Sequence, residues 1–270
     1  MRIALTGATG IVGGIVHRAA RATGHDVDPL PGYRLGDTPD LSGHDALIHA
    51  AFAHAPGRYR GGEGDDPAAF RAANLDGTIR LFDAARRTGV SRIVFLSSRA
   101  VHDGHPPGLL PDDLPPAPTT LYGEVKALAE AHLASLGPGA TALRATGIYG
   151  PGAANKWRGL FADFLAGRPV TPRVATEIHA DDLAAAILSI LAAPAPPATL
   201  NASDLTLDRH DLLADVARLT GCPHRPPPRA DASGLRILDC AGLRALGWCP
   251  GGIDLLRATL PAMLDPSIDS

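Results

Sequence analysis

The chain has 270 residues, 45% hydrophobic and 20% charged, enough to bury a full core as one large domain or one and a half. Its 25 basic and 28 acidic residues leave a net charge of −3, with no electrostatic footprint for nucleic acid or an anionic membrane. Cys222, Cys240 and Cys249 form no CxxC pair, no leader precedes the first strand, and the longest apolar run, Leu183 to Ala193, is too short for a bilayer. A soluble, cytoplasmic, metal-free protein is expected.

Arg2 to Leu5 reads as a buried strand. Thr6-Gly7-Ala8-Thr9-Gly10-Ile11-Val12-Gly13 turns from it into a helix running to about Thr23, with Gly24 as its stop. Glycines at such a turn let the backbone approach a pyrophosphate, whose charge is favoured at a helix N-terminus. The spacing alone is weak in a chain with 30 glycines; its place directly after a strand is what raises it.

A second strand from Asp26 to Leu30 and a third from Tyr33 to Leu35 are predicted next. Dinucleotide folds often end the second strand in an acid that binds the ribose 2′-hydroxyl. Here that place falls near Leu30-Pro31-Gly32, where no acid stands; Arg34 could approach a 2′-phosphate, though an Arg at a strand edge is more often a surface residue, so NAD and NADP both remain open. Asp45 to Ala51 is a fourth strand whose small end residues, Ala50 and Ala51, admit a ligand. Its His49 is read as structural, not as a metal ligand.

Gly57 to Pro67 is a Gly/Asp/Arg-rich loop, followed by a long amphipathic helix from about Pro67 to Thr88, closed by Gly89. Arg92 to Leu96 is an apolar strand ending in Ser97-Ser98. Alternating strands and helices argue an α/β fold, a Rossmann-type doubly wound parallel sheet whose ligands sit beyond the carboxyl ends of the strands. The proline-rich segment His102 to Thr120 is suited to roof that crevice.

The helix predicted from about Thr120 to Leu136 carries Tyr122 and Lys126 four residues apart, hence on one face. A free tyrosine has a pKa of about 10, and a neighbouring ammonium brings it towards the working range. A Tyr over a Lys is therefore a ready general acid/base. The chain has only two lysines and four tyrosines, so the pairing is not a product of abundance. Beyond it, Asn155 to Ala166 is an apolar helix with Trp157, Phe161 and Phe164, and Leu183 to Ala193 a helix against the sheet. Leu205 to Thr220 reads as a helix with Asp208 a cap candidate, Pro223 to Arg229 as a connector, and no internal repeat appears.

With these residues placed, nearly the whole chain resembles an extended short-chain dehydrogenase/reductase of the NAD-dependent epimerase/dehydratase type. The resemblance rests on Thr6-Gly7-x-x-Gly10-x-x-Gly13, His49-Ala50-Ala51, Asn74-x-x-Gly77-Thr78 and Ser97-Ser98 with Tyr122-x-x-x-Lys126. Leu143-Arg144 with Tyr149-Gly150-Pro151-Gly152, Ile178-His179-Ala180-Asp181-Asp182 and Leu246-Gly247-Trp248 complete it in the family's order. It implies that Ser98 hydrogen-bonds the reacting oxygen, Tyr122 moves its proton and Lys126 also holds the nicotinamide ribose. Hydride then passes between the substrate carbon and the nicotinamide ring. It places NAD or NADP, with NAD favoured, against Gly7, Thr9, Gly10, Ile11, Val12, Gly13, Asp37, Ala50, Ala51, Asn74, Leu96, Ser97, Tyr122 and Lys126. It also implies a homodimer through the helices Pro67–Thr88 and Thr120–Leu136. The expected organisation is a Rossmann domain over residues 1–150, completed by about 174–200, with a small substrate lobe from 151–173 and 201–270.

The departures from the family narrow the substrate. The acidic pair that dehydratases carry after the catalytic Ser/Thr is Arg99-Ala100 here, which disfavours elimination of water. Nucleotide-sugar epimerases usually have Asn where Gly147 stands, and an Arg where this chain has Ala175. A substrate smaller than a nucleotide sugar is expected, with Arg99 and Arg173 able to clamp a carboxylate or phosphate, unless both are ordinary surface arginines. The leading expectation is an NAD(P)-dependent oxidoreductase acting on a secondary alcohol or carbonyl of a sugar, sugar acid or similar small polar molecule. A nucleotide-sugar 4-epimerase is the alternative, and a catalytically silent cofactor-binding regulator the third reading.

Overall fold

Strands covered on both faces must be apolar along their length, and the sheet of this protein is built from such runs. The computed structural model describes residues 1–54 and 64–265; most of the loop expected from Gly57 to Pro67 lies outside them. The first half of the chain runs β1 (Arg2–Thr6), α1 (Ile11–Ala22), β2 (Asp26–Asp28), β3 (Ala46–His49), α2 (Pro67–Arg71), α3 (Gly77–Arg87), β4 (Arg92–Ser98), β5 (Gly108–Leu110) and α4 (Leu121–Ser135). Then follow β6 (Ala140–Ala145), β7 (Gly147–Tyr149), α5 (Arg158–Leu165), β8 (Val174–His179), α6 (Ala180–Ala192), β9 (Thr199–Ala202) and β10 (Leu205–Asp208). The chain closes with α7 (Arg209–Thr220), β11 (Arg236–Leu238), α8 (Ala241–Ala245) and α9 (Gly252–Leu264).

Six strands form one parallel sheet in the order β2-β1-β3-β4-β6-β9. The order reverses between β1 and β3, so a crevice opens beyond their carboxyl ends. On one face α1 and α6 cover Ile3, Leu5, Ile48, Val94 and Leu143. On the other, Leu81, Phe82, Ala129 and Leu133 from α3 and α4 cover Leu47, Ile93 and Phe95. Each such side chain stabilises the fold by about 1.5–3 kcal/mol when fully buried. A third apolar cluster joins Tyr149 to Trp157, Phe161 and Phe164 of the α5 region, with Leu212 and Val216 of α7 and Leu256 and Leu260 of α9. Beside it, β7, β8 and β10 make a separate three-stranded sheet, so Val174–His179 stands outside the parallel one. Residues 236–248 return to the main sheet, where Leu238, Leu243 and Trp248 join its core.

Several elements depart from the expected boundaries for local reasons. β2 ends at Asp28, not Leu30, because the Asp28 carboxylate accepts the Leu30 N–H at 3.0 Å and Leu30 turns left-handed (φ 45°). Tyr33 to Leu35 is not a strand; the Asp37 carboxylate accepts the Arg34 N–H at 2.7 Å and folds this stretch into turns. The helix from Pro67 is interrupted by a π-helical turn, Ala72–Asp76, and the predicted helix Leu205–Thr220 is a strand up to Asp208. Asp208 is indeed a cap: its carboxylate accepts the His210 N–H at 2.8 Å, which starts α7 there. The proline-rich segment after His102 carries a short strand, β5, paired with β11. It is also tied down where the Asp112 carboxylate accepts N–H groups of Asn201 and Gly242. Among the described residues no helix is long and apolar enough to cross a membrane.

Candidate active site

The turn after β1 is the tightest part of the crevice. Gly7 adopts φ +74°, and a Cβ on it would lie 2.6 Å from the Ala51 N and 2.8 Å from the Ala50 carbonyl carbon, both just past β3. Only glycine lets these two strand ends meet. Gly13 is packed as closely, its Cβ position being 2.9 Å from the Ala8 Cα. Gly10 differs: its Cβ position meets only the Gly7 carbonyl, at 3.3 Å, and otherwise faces open space. Gly10 is also the N-cap of α1, which has no side-chain cap and no acid in its first turn. The N–H groups from Ile11 to Gly13 therefore await an anion, and the open side of Gly10 gives it room. This fits a dinucleotide's pyrophosphate. Thr9 is exposed on the turn, while Ile11 and Val12 are half-buried against the core.

At the far end of the crevice Asp28, Leu30, Gly32, Tyr33 and Asp37 line a cavity of about 330 Å³. Since β2 ends at Asp28, an acid does stand at the end of this strand, contrary to the sequence expectation. Its second oxygen contacts His44 Nε2 at 3.2 Å.

Beneath the turn, His49 is fully enclosed. Thr6 Oγ1 lies 2.7 Å from its Nδ1, and its Nε2 lies 3.0 Å from Thr78 Oγ1. Thr6 Oγ1 also accepts the Ala51 N–H, at 3.3 Å, so the hydroxyl links the His49 ring to the end of β3. Burial, with Lys126 adding to it, lowers the His49 pKa to about 3. It is a neutral structural histidine, as its position in the strand predicted.

The helix that carries Tyr122 and Lys126, α4, is pinned to the end of β4 at two points. A Cβ on Gly123 would lie 2.6 Å from the Ala100 carbonyl oxygen, so the first turn of α4 sits directly on the turn after Ser98. One helical turn on, Lys126 Nζ donates to the Leu96 carbonyl at 2.7 Å. Thr120 caps the helix by accepting the Gly123 N–H at 3.1 Å, which sets Tyr122 in the first turn. Ser98 Oγ accepts the Ala100 N–H at 3.2 Å. Lys126 is 4% exposed, and its ammonium lies 4.2 Å from the Phe52 ring centroid and 4.6 Å from that of Phe95. Burial pushes its pKa down to about 7, against the pull of Glu130. The Phe52 ring also packs edge-on to Tyr122, 5.2 Å between centroids. Phe52 thus touches both Tyr122 and Lys126; its place directly after Ala50-Ala51 was the signal available in the sequence.

Glu130 and Arg144 were likewise not foreseen as part of this site. The Arg144 guanidinium grips Glu130 with two nitrogens, Nη2 at 2.8 Å and Nε at 3.1–3.2 Å, and both residues are at most 4% exposed. Arg144 Nη1 also donates to the Asp112 carbonyl and to His102 Nε2. Ser97 turns inward and donates to Glu130, so it points into this buried network. Such a network rigidifies the floor under Lys126.

The remaining predicted residues are placed as follows. The Asn74 amide, in the π-helical turn, accepts the Ala53 N–H at 2.8 Å and donates to the Ala53 and Phe70 carbonyls. Both its donors are engaged in holding the segment after β3. Asp37 flanks the cavity beside β2. Arg99 Nη1 donates to Asp103 at 3.0 Å, one helical turn away. Gly147 lies two residues beyond Ala145, the β6 partner of Ser98, and Arg173 is exposed just before β8. Among the described residues no group of three or more His, Cys, Asp or Glu could hold a metal ion.

The chain is 29% identical to a 3-diazoavenalumate denitrifying reductase of Streptomyces, over 92% of this chain and 88% of that one. It is 31% identical to an L-arabinose 1-dehydrogenase (NAD(P)(+)) of Haloferax volcanii, over 48% of this chain and 59% of that one. Its fold matches the UDP-glucuronic acid 4-epimerase of Bacillus cereus, solved with NAD, at a TM-score of 0.78 and 18% identity over all of both chains. The enzyme WbmG of Bordetella bronchiseptica, solved with NAD, matches this fold at a TM-score of 0.77 and 22% identity over all of this chain and 96% of that one. Residues 3–202 match the model of the NAD dependent epimerase/dehydratase family, and this chain belongs to that family of NAD(P)-dependent enzymes.

Proposed function

We propose that the protein is an oxidoreductase interconverting a secondary alcohol and a carbonyl on a sugar, sugar acid or similar small polar substrate. The observation that carries this is the clamping of α4 onto the end of β4, by Gly123 against Ala100 and by Lys126 on the Leu96 carbonyl, which sets the helix turn carrying Tyr122 against the strand end carrying Ser98. The bound cofactor supplies or accepts the hydride. Ser98 Oγ holds the substrate oxygen, and Tyr122 gives or takes the proton on that oxygen. Lys126, fixed by the Leu96 carbonyl and two aromatic rings, sets the charge beside Tyr122 and binds the nicotinamide ribose. The backbone from Gly7 and Thr9 through Gly10, Ile11, Val12 and Gly13 receives the pyrophosphate, with Ala50 and Ala51 opposite.

Asp28 and Asp37 both line the β2 cavity, an arrangement that favours a ribose hydroxyl over a 2′-phosphate and so NAD over NADP. The same Ser, Tyr and Lys serve a 4-epimerase, but the space above Gly147 is filled by protein here, which favours a smaller substrate. Leu128, 43% exposed on α4, gives the outer face of this helix an apolar spot for a second copy of the chain. The test is a panel of neutral sugars, aldonic and uronic acids and UDP-sugars with NAD+ and NADP+, followed by nicotinamide absorbance. Substrate-dependent reduction of NAD+ by sugars or sugar acids is expected. Conversion of UDP-sugars with no net change in the nicotinamide would make the protein an epimerase instead.

A further inference from the structure

The chain contains only two lysines, and the one not yet placed, Lys156, also lies at the substrate end of the sheet. β7 and β8 pair so that Gly147 stands beside Glu177. Lys156 reaches over them from the loop before α5, donating to the Glu177 carboxylate directly above the Gly147 Cα. A Cβ on Gly147 would lie 2.6 Å from Lys156 Nζ and would collide with the carboxylate. The ion pair thus occupies the place of a residue 147 side chain. That place is two residues, about 7 Å of extended chain, beyond the β6 partner of Ser98.

The two partners differ in their access to solvent. The Glu177 side chain is 7% exposed, and Lys156 is its sole hydrogen-bond partner among the described residues. The Lys156 side chain is 32% exposed, with its ammonium 5.4 Å from the Trp157 ring centroid. Burial works against the charge of each, and each holds the other ionised; Arg173 is close enough to act on both. Two cations therefore face one carboxylate. An ammonium has three donors, and Glu177 is the one hydrogen-bond acceptor it has among the described residues, which leaves donors for a second acceptor.

Resting on the proposed oxidoreductase reading, we infer that Lys156, oriented by Glu177 over Gly147 and flanked by Arg173, binds an oxyanionic group of the substrate, a carboxylate or a phosphate, at the mouth of the Ser98–Tyr122 site. Glu177 is a positioning residue here and Lys156 the binding one. A charge-assisted hydrogen bond from a partly desolvated ammonium is strong enough to discriminate the acid from the neutral sugar roughly 10–100-fold.

The test uses the NAD-loaded full-length protein and reads binding, not turnover. With Lys126 buried, an amine-acylating reagent should modify Lys156, and peptide mass spectrometry locates the adduct. D-glucuronate and D-gluconate should protect Lys156 where D-glucose does not; inorganic phosphate in a separate arm shows whether phosphate protects instead, which would assign that source of the oxyanion. Calorimetry should show the protecting anion binding roughly 10–100-fold more weakly to Lys156→Met, with partial recovery in Lys156→Arg. Glu177→Gln should weaken the acid and flatten the salt dependence of its binding. No protection by any anion, or equal protection by glucose, overturns the inference. Protection without hydride transfer to any substrate would leave it standing while the oxidoreductase reading falls; turnover of acids without protection would do the reverse.

Discussion

The glycine turn can be split into a part that serves the fold and a part that serves the cofactor, and two substitutions separate them. Gly10→Val places its side chain on the open side of the turn, where the nearest protein atom is the Gly7 carbonyl oxygen, 3.3 Å from the Cβ. The backbone there is extended (φ −81°, ψ 169°), so valine is not strained. Losing glycine at an N-cap costs about 1 kcal/mol, a fall in Tm of roughly 2–4 °C in a domain of this order of size. The branched side chain nevertheless stands where the pyrophosphate must approach the N–H groups of α1. Loss of two charge-assisted hydrogen bonds, about 1.5–3 kcal/mol each, weakens the dinucleotide roughly 10²–10⁴-fold. Gly13→Ala is the converse. Its Cβ would sit 2.9 Å from the Ala8 Cα and nearer still to the Gly7 backbone, none of which can turn aside. Overpacking of that kind costs about 1–3 kcal/mol, so this variant should melt earlier even without cofactor. Thermal melts with and without NAD, and calorimetry with NAD(H) and NADP(H), read both effects. Unchanged binding of all four nucleotides by Gly10→Val would refute the cradle, and a wild-type melting point for Gly13→Ala would refute the packing argument.

Tyr122→Phe should lose roughly 10²–10⁴ in turnover while NAD still binds, as expected for a general acid/base; near-normal rates on any accepted substrate would remove that role. Burial lowers His102 to about 4, so between that pH and the unfolded value of about 6.5 the unfolded chain takes up a proton that the fold does not. This contribution to stability falls as the pH drops through that window, and melts from pH 7 to 4 should show a shallower loss in His102→Gln than in wild type. Asp28→Ser removes one of the two carboxylates beside the β2 cavity and should shift preference towards NADP(H) by roughly 3–10-fold, for a repulsion of about 1 kcal/mol, read from the ratio of the two dissociation constants. Light scattering at micromolar concentration should give a dimer that Leu128→Glu dissociates; a wild-type monomer would count against the helix-face pairing.

What could be read from the sequence was what is encoded locally. Tyr122 and Lys126 share a helix face by spacing alone, and the glycine turn announces itself between a strand and a helix. The apolar run ending in Ser97-Ser98 is a central parallel strand for the same reason. Boundaries failed where one polar side chain captured a neighbouring N–H. Asp28 ends β2 two residues early, Asp37 turns the stretch predicted as a strand, and Asp208 divides what periodicity had joined. Each of these choices lies between two acceptors for one donor, and hydrophobic pattern carries no information about it.

The substrate side was harder to read for a different reason. Gly147 and Glu177 are neighbours only because β7 and β8 pair, and Lys156 joins them across 21 residues of sequence from Glu177. Glu130 lies one helical turn beyond Lys126, a spacing visible in the sequence, but its partner Arg144 comes from β6. A lone arginine, lysine or glutamate in a sequence is most simply a solvated surface residue, and only burial against an opposite charge makes it something else. Arg99 shows the same limit from the other side. Its place after Ser98 singled it out for a substrate anion, yet its guanidinium lies on Asp103, which already supplies a carboxylate. The pair at Lys156 and Glu177 points the other way, since Glu177 is enclosed while the Lys156 side chain remains a third exposed. If charge at this site selects the substrate, the effect should follow the lysine that keeps an open side.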